Sequence, residues 1–195
     1  AHARAGAHGG GAGGVDAPAR ARRHGASRRA APPVHARDDA GSGHPAVMNP
    51  DFLDLLVAFQ VHDVEHLVVG AFAMAVHGVA RSTGDIDVWV RPGADNAERV
   101  LDALAEFGAP LDAHGVSTAT FAVPGTTYQL GLPPSRIDIL TAIDGVTFEE
   151  AWARRVPGVF GNLEVPVLGL ADLRTNKAAS GRPKNLADLA LLDEA

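Results

Sequence analysis

Two aspartates one residue apart open the apolar run Asp85-Ile86-Asp87-Val88-Trp89-Val90, and of all stretches in the chain this one is best suited to chemistry. Taken as a strand from Arg81 to Val90, RSTGDIDVWV sends Ile86, Val88 and Val90 to one face and Asp85, Asp87 and Trp89 to the other, because side chains alternate with period two. At roughly 3.3 Å per residue the two carboxylate-bearing Cβ atoms stand about 7 Å apart, close enough for both to reach one hard cation. A metal-held phosphate suits such a pair. Asp-x-Asp is also a common turn spelling, a turn residue followed by a solvated one, so the neighbouring residues decide between the two.

Upstream, Leu67-Val68-Val69 ends at Gly70 and is followed by small and apolar residues at helical spacing. A strand ending in a glycine turn that opens a helix offers free backbone N–H groups to a phosphate; the plainer alternative for Gly70 is a tight turn. Arg81 and Thr83 form a basic and polar bend just ahead of the carboxylates. Farther on, RIDILTAI places Ile137, Ile139 and Thr141 on one face and Asp138, flanked by Leu140, on the other. A charge on a strand that otherwise reads as buried needs a partner. Either Asp138 pairs with Arg136 or another basic group, or it joins Asp85 and Asp87 on a neighbouring strand, where three carboxylates repel one another unless cations neutralise them.

The order Val69-Gly70-Ala71-x-Ala73, then Arg81-x-Thr83-x-Asp85-x-Asp87, then the isolated strand aspartate Asp138 resembles the small bacterial nucleotidyltransferases of the polymerase-beta-like superfamily. Within it, the nearest group includes the AbiEii-type toxins and many stand-alone members. The resemblance covers Met48 to the end and departs at Ala71, where the superfamily usually has a second glycine or a serine. It implies a minimal nucleotidyltransferase fold, α+β (α/β), with a small mixed β-sheet bearing all three aspartates on one side and flanked by helices. It also implies a two-metal site in which one Mg²⁺ holds the nucleotide's phosphates and the other activates an attacking hydroxyl. By this resemblance Asp85 and Asp87 hold both ions, Asp138 binds the catalytic ion and helps take the hydroxyl proton, and the backbone of Gly70 and Ala71 grips the β- and γ-phosphates. Arg81 and Thr83 add side-chain contacts, and Lys177 faces the phosphates. Members of the family usually carry an aspartate where this chain has Asn185, which puts any role of that position's charge in doubt. The implied reaction moves a nucleoside monophosphate from an NTP to a hydroxyl of RNA, protein or a small molecule, with release of pyrophosphate; a toxin–antitoxin partner belongs to the same picture. The alternative is a catalytically silent nucleotide-binding antitoxin or regulatory protein, which the intact carboxylates argue against and Ala71 mildly favours.

The elements needed to position these residues are legible around them. Asn49 or Asp51 caps a helix with Phe52, Leu55, Leu56 and Phe59 at i, i+3, i+4, i+7. Strand Leu67 to Val69, helix Ala71 to His77 and the carboxylate strand follow, then a helix from Ala94 to Phe107 with Val100, Leu101, Leu104 and Phe107 inward and Gly108 ending it. Residues 109–125 read as a loop or short helix. A second β region begins near Thr126, turns at Pro133-Pro134-Ser135 and continues into RIDIL. Thr147 and Glu150 have capping-box spacing, Phe148 and Trp152 lie at i, i+4, and Gly161-Asn162 reads as a hairpin turn. Two helices broken at Gly181-Arg182-Pro183 close the chain, with Leu170, Leu173, Leu186, Leu189 and Leu192 on packed faces. His62, His66, His77 and His114 show no metal spacing and read as ordinary polar or capping residues.

Composition divides the chain. Residues 1–47 contain no Leu, Ile, Phe, Trp or Tyr and carry a net charge of +4, leaving −10 for 48–195. A segment this poor in apolar side chains cannot offset its ordering entropy, so 1–47 is expected to be a disordered Ala/Gly/Arg-rich tail and 48–195 the nucleotidyltransferase domain. The basic arm would touch nucleic acid, fold back on the acidic domain, or be upstream sequence preceding a natural start at Met48; the last reading is preferred. The acidity of the domain argues weakly against extended RNA gripping. Absence of cysteine excludes disulfides, thiol catalysis and Cys-based zinc sites. No apolar run reaches the ~18 residues of a membrane span, and the expectation is a cytoplasmic protein that makes no membrane contact.

Overall fold

The computed structural model describes residues 49–194. The tail 1–47, Met48 and Ala195 lie outside the described residues, and with them the expectation of a disordered arm. The described residues form eight helices and six strands in the order α1 (Pro50–Val61), β1 (His66–Val69), α2 (Gly70–Val76), β2 (Asp85–Val90), α3 (Ala94–Phe107), α4 (Leu111–His114), α5 (Thr118–Ala122), β3 (Thr127–Leu130), β4 (Arg136–Leu140), α6 (Phe148–Ala153), β5 (Val156–Phe160), β6 (Leu163–Val167), α7 (Leu170–Ser180) and α8 (Pro183–Glu194). The strands form one sheet in the order β3-β4-β2-β1-β6-β5. Pairs β1/β6 and β2/β4 are parallel, whereas β1/β2, β3/β4 and β5/β6 are antiparallel. The fold is therefore mixed α/β with a mixed sheet and flanking helices, as the motifs led one to expect.

Local chemistry accounts for the element ends. Asn49 accepts a hydrogen bond from the Asp51 N–H at 2.9 Å and caps α1, whose Phe52, Leu55, Leu56 and Phe59 are buried. Gly108, in the left-handed region, stops α3. Thr147 and Glu150 form the capping box of α6, and Phe148 stacks on Trp152 at 5.7 Å between centroids. Gly161 turns β5 into β6. Residues 109–125 hold two short helices, α4 and α5, the latter packing on α3 with Phe121 fully buried.

Three readings of the sequence need correction. The carboxylate strand begins at Asp85, not Arg81. Gly84 passes so near the Pro134 backbone that a Cβ there would lie 2.5 Å from its carbonyl oxygen, and the Thr83 hydroxyl folds back on the Asp85 backbone, so residues 81–84 form a loop. On α8, Leu186 is 49% exposed and Leu189 half-buried, while Asp188 lies in the interior beside Leu192. The helix is rotated toward its charge rather than its leucines because Asp188 has cationic partners inside.

The third correction concerns His66. His62 and His77 are the C-caps of α1 and α2, as ordinary capping residues would be, but His66 is 2% exposed on β1. Its Nδ1–H donates to the Val64 carbonyl at 2.8 Å, its Nε2 has no partner, and its ring meets Phe59 edge-on at 5.2 Å. Burial pushes its pKa down to about 4, against a smaller opposing effect of the Val64 hydrogen bond. Because the folded state holds this imidazole neutral, its contribution to stability is present above the ordinary pKa of 6.5 and is lost as pH falls from there toward 4. Fully developed, that loss is up to about 3 kcal/mol. His66→Leu is therefore expected to flatten the fall in denaturant-derived stability between pH 7 and pH 4.5, and equal slopes in variant and parent would show the imidazole is not held neutral.

Candidate active site

The pairing of β2 with β4 decides which side chains meet. In this parallel pair Asp87 is in register with Asp138 and Asp85 with Arg136, and neighbouring strands lie about 4.8 Å apart. Side chains in register project from the same face, so Asp85, Asp87, Arg136 and Asp138 share one surface, while Ile86, Val88, Ile137 and Ile139 are buried on the other. Farther along β2 the same face turns apolar: Trp89 is buried beneath Phe148 at 5.0 Å. The carboxylates therefore sit where β2 emerges from its loop, ahead of the portion covered by α6.

Arg136 joins two of the three acids. Its Nη2 donates to Asp85 Oδ2 at 2.9 Å, its Nε to Asp138 Oδ1 at 2.9 Å, and Nη2 again to Asp138 Oδ2 at 3.1 Å. Gln129, opposite Asp138 on β3, adds Nε2 to Oδ1 at 3.1 Å. The hydrogen bond to Asp138 and its charge hold the Arg136 guanidinium above its usual range. Of the two partners weighed for Asp138 from sequence, the structure supplies both: the basic neighbour on its own strand and the aspartates on the next.

Asp87 stands apart in accepting no side-chain hydrogen bond among the described residues. Burial, then the charge of Asp138, raises its pKa above the ordinary value; Lys177 opposes this, Asp85 adds to it and Lys184 opposes it in turn. Its carboxylate lies over Gly70, which takes a φ of +64° at the junction of β1 and α2. A Cβ at Gly70 would fall 2.0 Å from Asp87 Oδ2, so glycine is required here both for the turn and for the room its absent side chain leaves.

The opposite wall is cationic. Lys177 on α7 is buried, and its Nζ donates to Asp188 Oδ2 at 2.9 Å and Asn185 Oδ1 at 3.1 Å. Arg81 approaches the other Asp188 oxygen at 3.5 Å through Nε. One interior carboxylate thus holds two cations that the sequence associates with phosphate. Asp188 was not singled out from sequence, although its i, i+4 relation to Leu192 marks it as an acid on an inward stripe. Gln129 also went unnoticed, since a polar residue alternating with Tyr128 and Leu130 reads as solvated.

All eight residues singled out from sequence, Gly70, Ala71, Arg81, Thr83, Asp85, Asp87, Asp138 and Lys177, line one cleft of about 490 Å³, together with Gln129, Arg136, Arg182 and Lys184. Among the described residues no group of three or more His, Asp or Glu side chains is arranged to hold a metal ion. The donor chemistry is nonetheless of the kind that suits Mg²⁺, since Asp85, Asp87 and Asp138 offer carboxylate oxygens and no imidazole; in this structure Arg136 is paired with two of them. Among the described residues no helix is long and apolar enough to cross a membrane.

No protein-family model matches the chain, and no curated protein matches it in sequence. Among solved structures it is similar to the antibiotic-resistance factor ANT(2'')-Ia, at 16% identity over 74% of this chain and 81% of that one, with a TM-score of 0.47. The lincosamide antibiotic adenylyltransferase LnuA, solved with lincomycin bound, is 12% identical over 75% of this chain and 97% of its own, with a TM-score of 0.45. TM1012 of Thermotoga maritima, which bears a provisional nucleotidyltransferase name, is 17% identical over 75% and 95%, with a TM-score of 0.46.

Two outcomes are expected of the site's electrostatics. Because the fold penalises ionised Asp87, its cost to stability appears as pH rises from 3.8 through its raised pKa; Asp87→Asn should therefore melt higher than the parent at pH 7, and a lower melting temperature would mean the carboxylate is satisfied. Asp188→Ala strands the buried Lys177 ammonium and removes the partner of the half-buried Arg81, and should cost about 3–5 kcal/mol, most of it recovered when Lys177→Met and Asp188→Leu are combined. A loss under about 1 kcal/mol in urea titration would show that the pair does not hold α7 to α8.

Proposed function

We propose that the cleft binds the triphosphate of an NTP and transfers its nucleoside monophosphate to a hydroxyl acceptor, releasing pyrophosphate. The observation that carries this reading is the register of Asp87 with Asp138 across β2 and β4, which gathers three acids on one surface facing a wall of Arg81, Lys177, Arg182 and Lys184. Arg136 offsets two of these acids and leaves Asp87 without a hydrogen-bonding partner among the described residues, and a triphosphate with its cations is a guest that complements both kinds of charge lining the cleft.

In this reading Asp85, Asp87 and Asp138 would hold Mg²⁺, which would screen the phosphates and lower the pKa of the attacking hydroxyl. Gly70 lets the start of α2 approach the phosphates closely, and the Gly70 and Ala71 N–H groups donate to their β- and γ-oxygens. Arg81 meets Asp188 only through a 3.5 Å contact at Nε, so the rest of its guanidinium turns to phosphate. Lys177, committed to Asp188 and Asn185, chiefly holds α7 and α8 in place and adds its charge at short range. Thr83 shapes the loop through its bonds with Asp85 backbone. Asp138 takes the hydroxyl proton once its oxygens are free of Arg136.

A second reading has one observation in its favour: Arg136 already neutralises two of the acids, as it would in a silent nucleotide-binding antitoxin or regulatory protein. Transfer of label from each α-³²P NTP, with Mg²⁺, into total tRNA, lysate protein or small hydroxylated antibiotics separates the two. Label entering one fraction and falling by about 100-fold or more in Asp87→Asn, the scale of losing transition-state charge stabilisation, is the expected result. Nucleotide binding without label in any fraction would favour the silent protein.

A further inference from the structure

We propose that Arg136 is a surrogate cation that keeps the carboxylate site closed until a nucleotide arrives, so that the protein takes up divalent metal together with the triphosphate and not ahead of it. This rests on the nucleotidyl-transfer reading and concerns the order in which that site fills.

The geometry is that of a cation already in place. The guanidinium spans two strands, with Nη2 on Asp85 Oδ2 and on Asp138 Oδ2 and Nε on Asp138 Oδ1, at 2.9 to 3.1 Å. Both Asp138 oxygens are thus engaged, and Gln129 adds another donor to Oδ1. A forked, charge-assisted contact of this kind is among the stronger side-chain interactions. Its reach is set by backbone register, since Arg136 lies opposite Asp85 while Asp138 is two residues along on the same face. A divalent ion arriving alone finds Asp87 as the one acid with no hydrogen-bond partner, and gains the other two only by expelling a guanidinium that has no better place to go.

A nucleotide changes that balance. Its phosphates carry several negative charges into the cleft that Arg136 itself lines, and the Arg136 side chain, 30% exposed, has room to turn toward them. The triphosphate thereby gains the freed guanidinium, and the metal gains the freed carboxylates. Each ligand favours the same displaced arrangement, so each must tighten the other, which is coupling by linkage. Lys177 cannot substitute for Arg136, because Asp188 and Asn185 hold its ammonium.

Binding of Mn²⁺ to the full chain, followed by electron paramagnetic resonance of the free ion and corrected by a protein-free titration of each analogue, tests this without turnover. Each titration is run with Mn²⁺ alone and with the α,β-methylene analogues of ATP, GTP, CTP and UTP in turn. The parent protein is expected to bind Mn²⁺ at least tenfold more tightly with one of the analogues than without. Arg136→Gln should bind Mn²⁺ alone at least tenfold more tightly than the parent, gain less from the analogue, and show a rise in melting temperature with Mn²⁺ alone that the parent lacks. Arg136→Lys, which keeps the charge but not the fork, should fall between and carries the test if the glutamine variant does not fold. If Arg136→Gln binds Mn²⁺ alone no better than a parent that still shows nucleotide-dependent uptake, Arg136 is a structural clamp and the surrogate role is overturned while the functional reading stands. If the parent takes up no Mn²⁺ with any analogue, the functional reading fails and the surrogate role with it.

Discussion

The parallel register of β2 against β4 is the constraint on which the site depends. Setting Asp87 beside Asp138 and Asp85 beside Arg136 produces both the concentration of negative charge and the guanidinium that holds it. A slip of one residue would send the acids to the face occupied by Ile86, Val88, Ile137 and Ile139 and destroy the core as well as the cleft. The same pairing that buries the apolar side chains therefore fixes the polar ones, and neither face can be changed without the other.

A second ionic cluster sets the far wall. Asp188, Lys177 and Arg81 join α8, α7 and the loop before β2, so the segment after the glycine–proline break is tied to the start of the carboxylate strand. Buried ion pairs are weak evidence for stability, because well-packed apolar groups of similar volume commonly do as well. Here the pairs fix Lys177 and Arg81, which line the same cleft as the three acids. Gly70 plays the complementary part on the sheet side: by having no side chain it leaves Asp87 room to lie against the backbone where α2 begins.

Seen together, the two clusters explain why a chain with an acidic domain contains a cleft that is neither simply acidic nor simply basic. Asp87 carries the cost, with burial and the neighbouring Asp138 raising its pKa. The guanidinium of Arg136, paired with Asp85 and Asp138, limits that cost. Away from the cleft the architecture follows the usual rules, with α1 and α3 packed through their apolar stripes and β5/β6 closing one edge of the sheet.

Period and punctuation in the sequence determined most of the elements. The i, i+3, i+4 spacing of Phe52 to Phe59, the alternation through Asp87 and through Asp138, the caps at Asn49 and Thr147 and the stops at Gly108 and Gly161 are local effects, governed by residues within a turn or two of one another, and they emerge as read. Seven of the eight candidate residues that line the cleft belong to short local patterns, and Lys177 was reached only through the resemblance. Local pattern could not show what crosses the fold. That Arg136 bridges two strands, that Gln129 faces Asp138, and that α8 turns Asp188 inward while exposing Leu186 are decided by contacts between residues 9 to 107 positions apart or by the competition among faces of one helix, where an interior ion pair outweighs a leucine. Residues 81–84 are a loop for a like reason, since the close approach of Gly84 to Pro134 is a tertiary contact that strand alternation does not encode. Local spacing can nominate charged groups, but only the assembled sheet and helices determine which charges are near enough to neutralise one another, because electrostatic energy depends on distance and burial rather than on order in the chain.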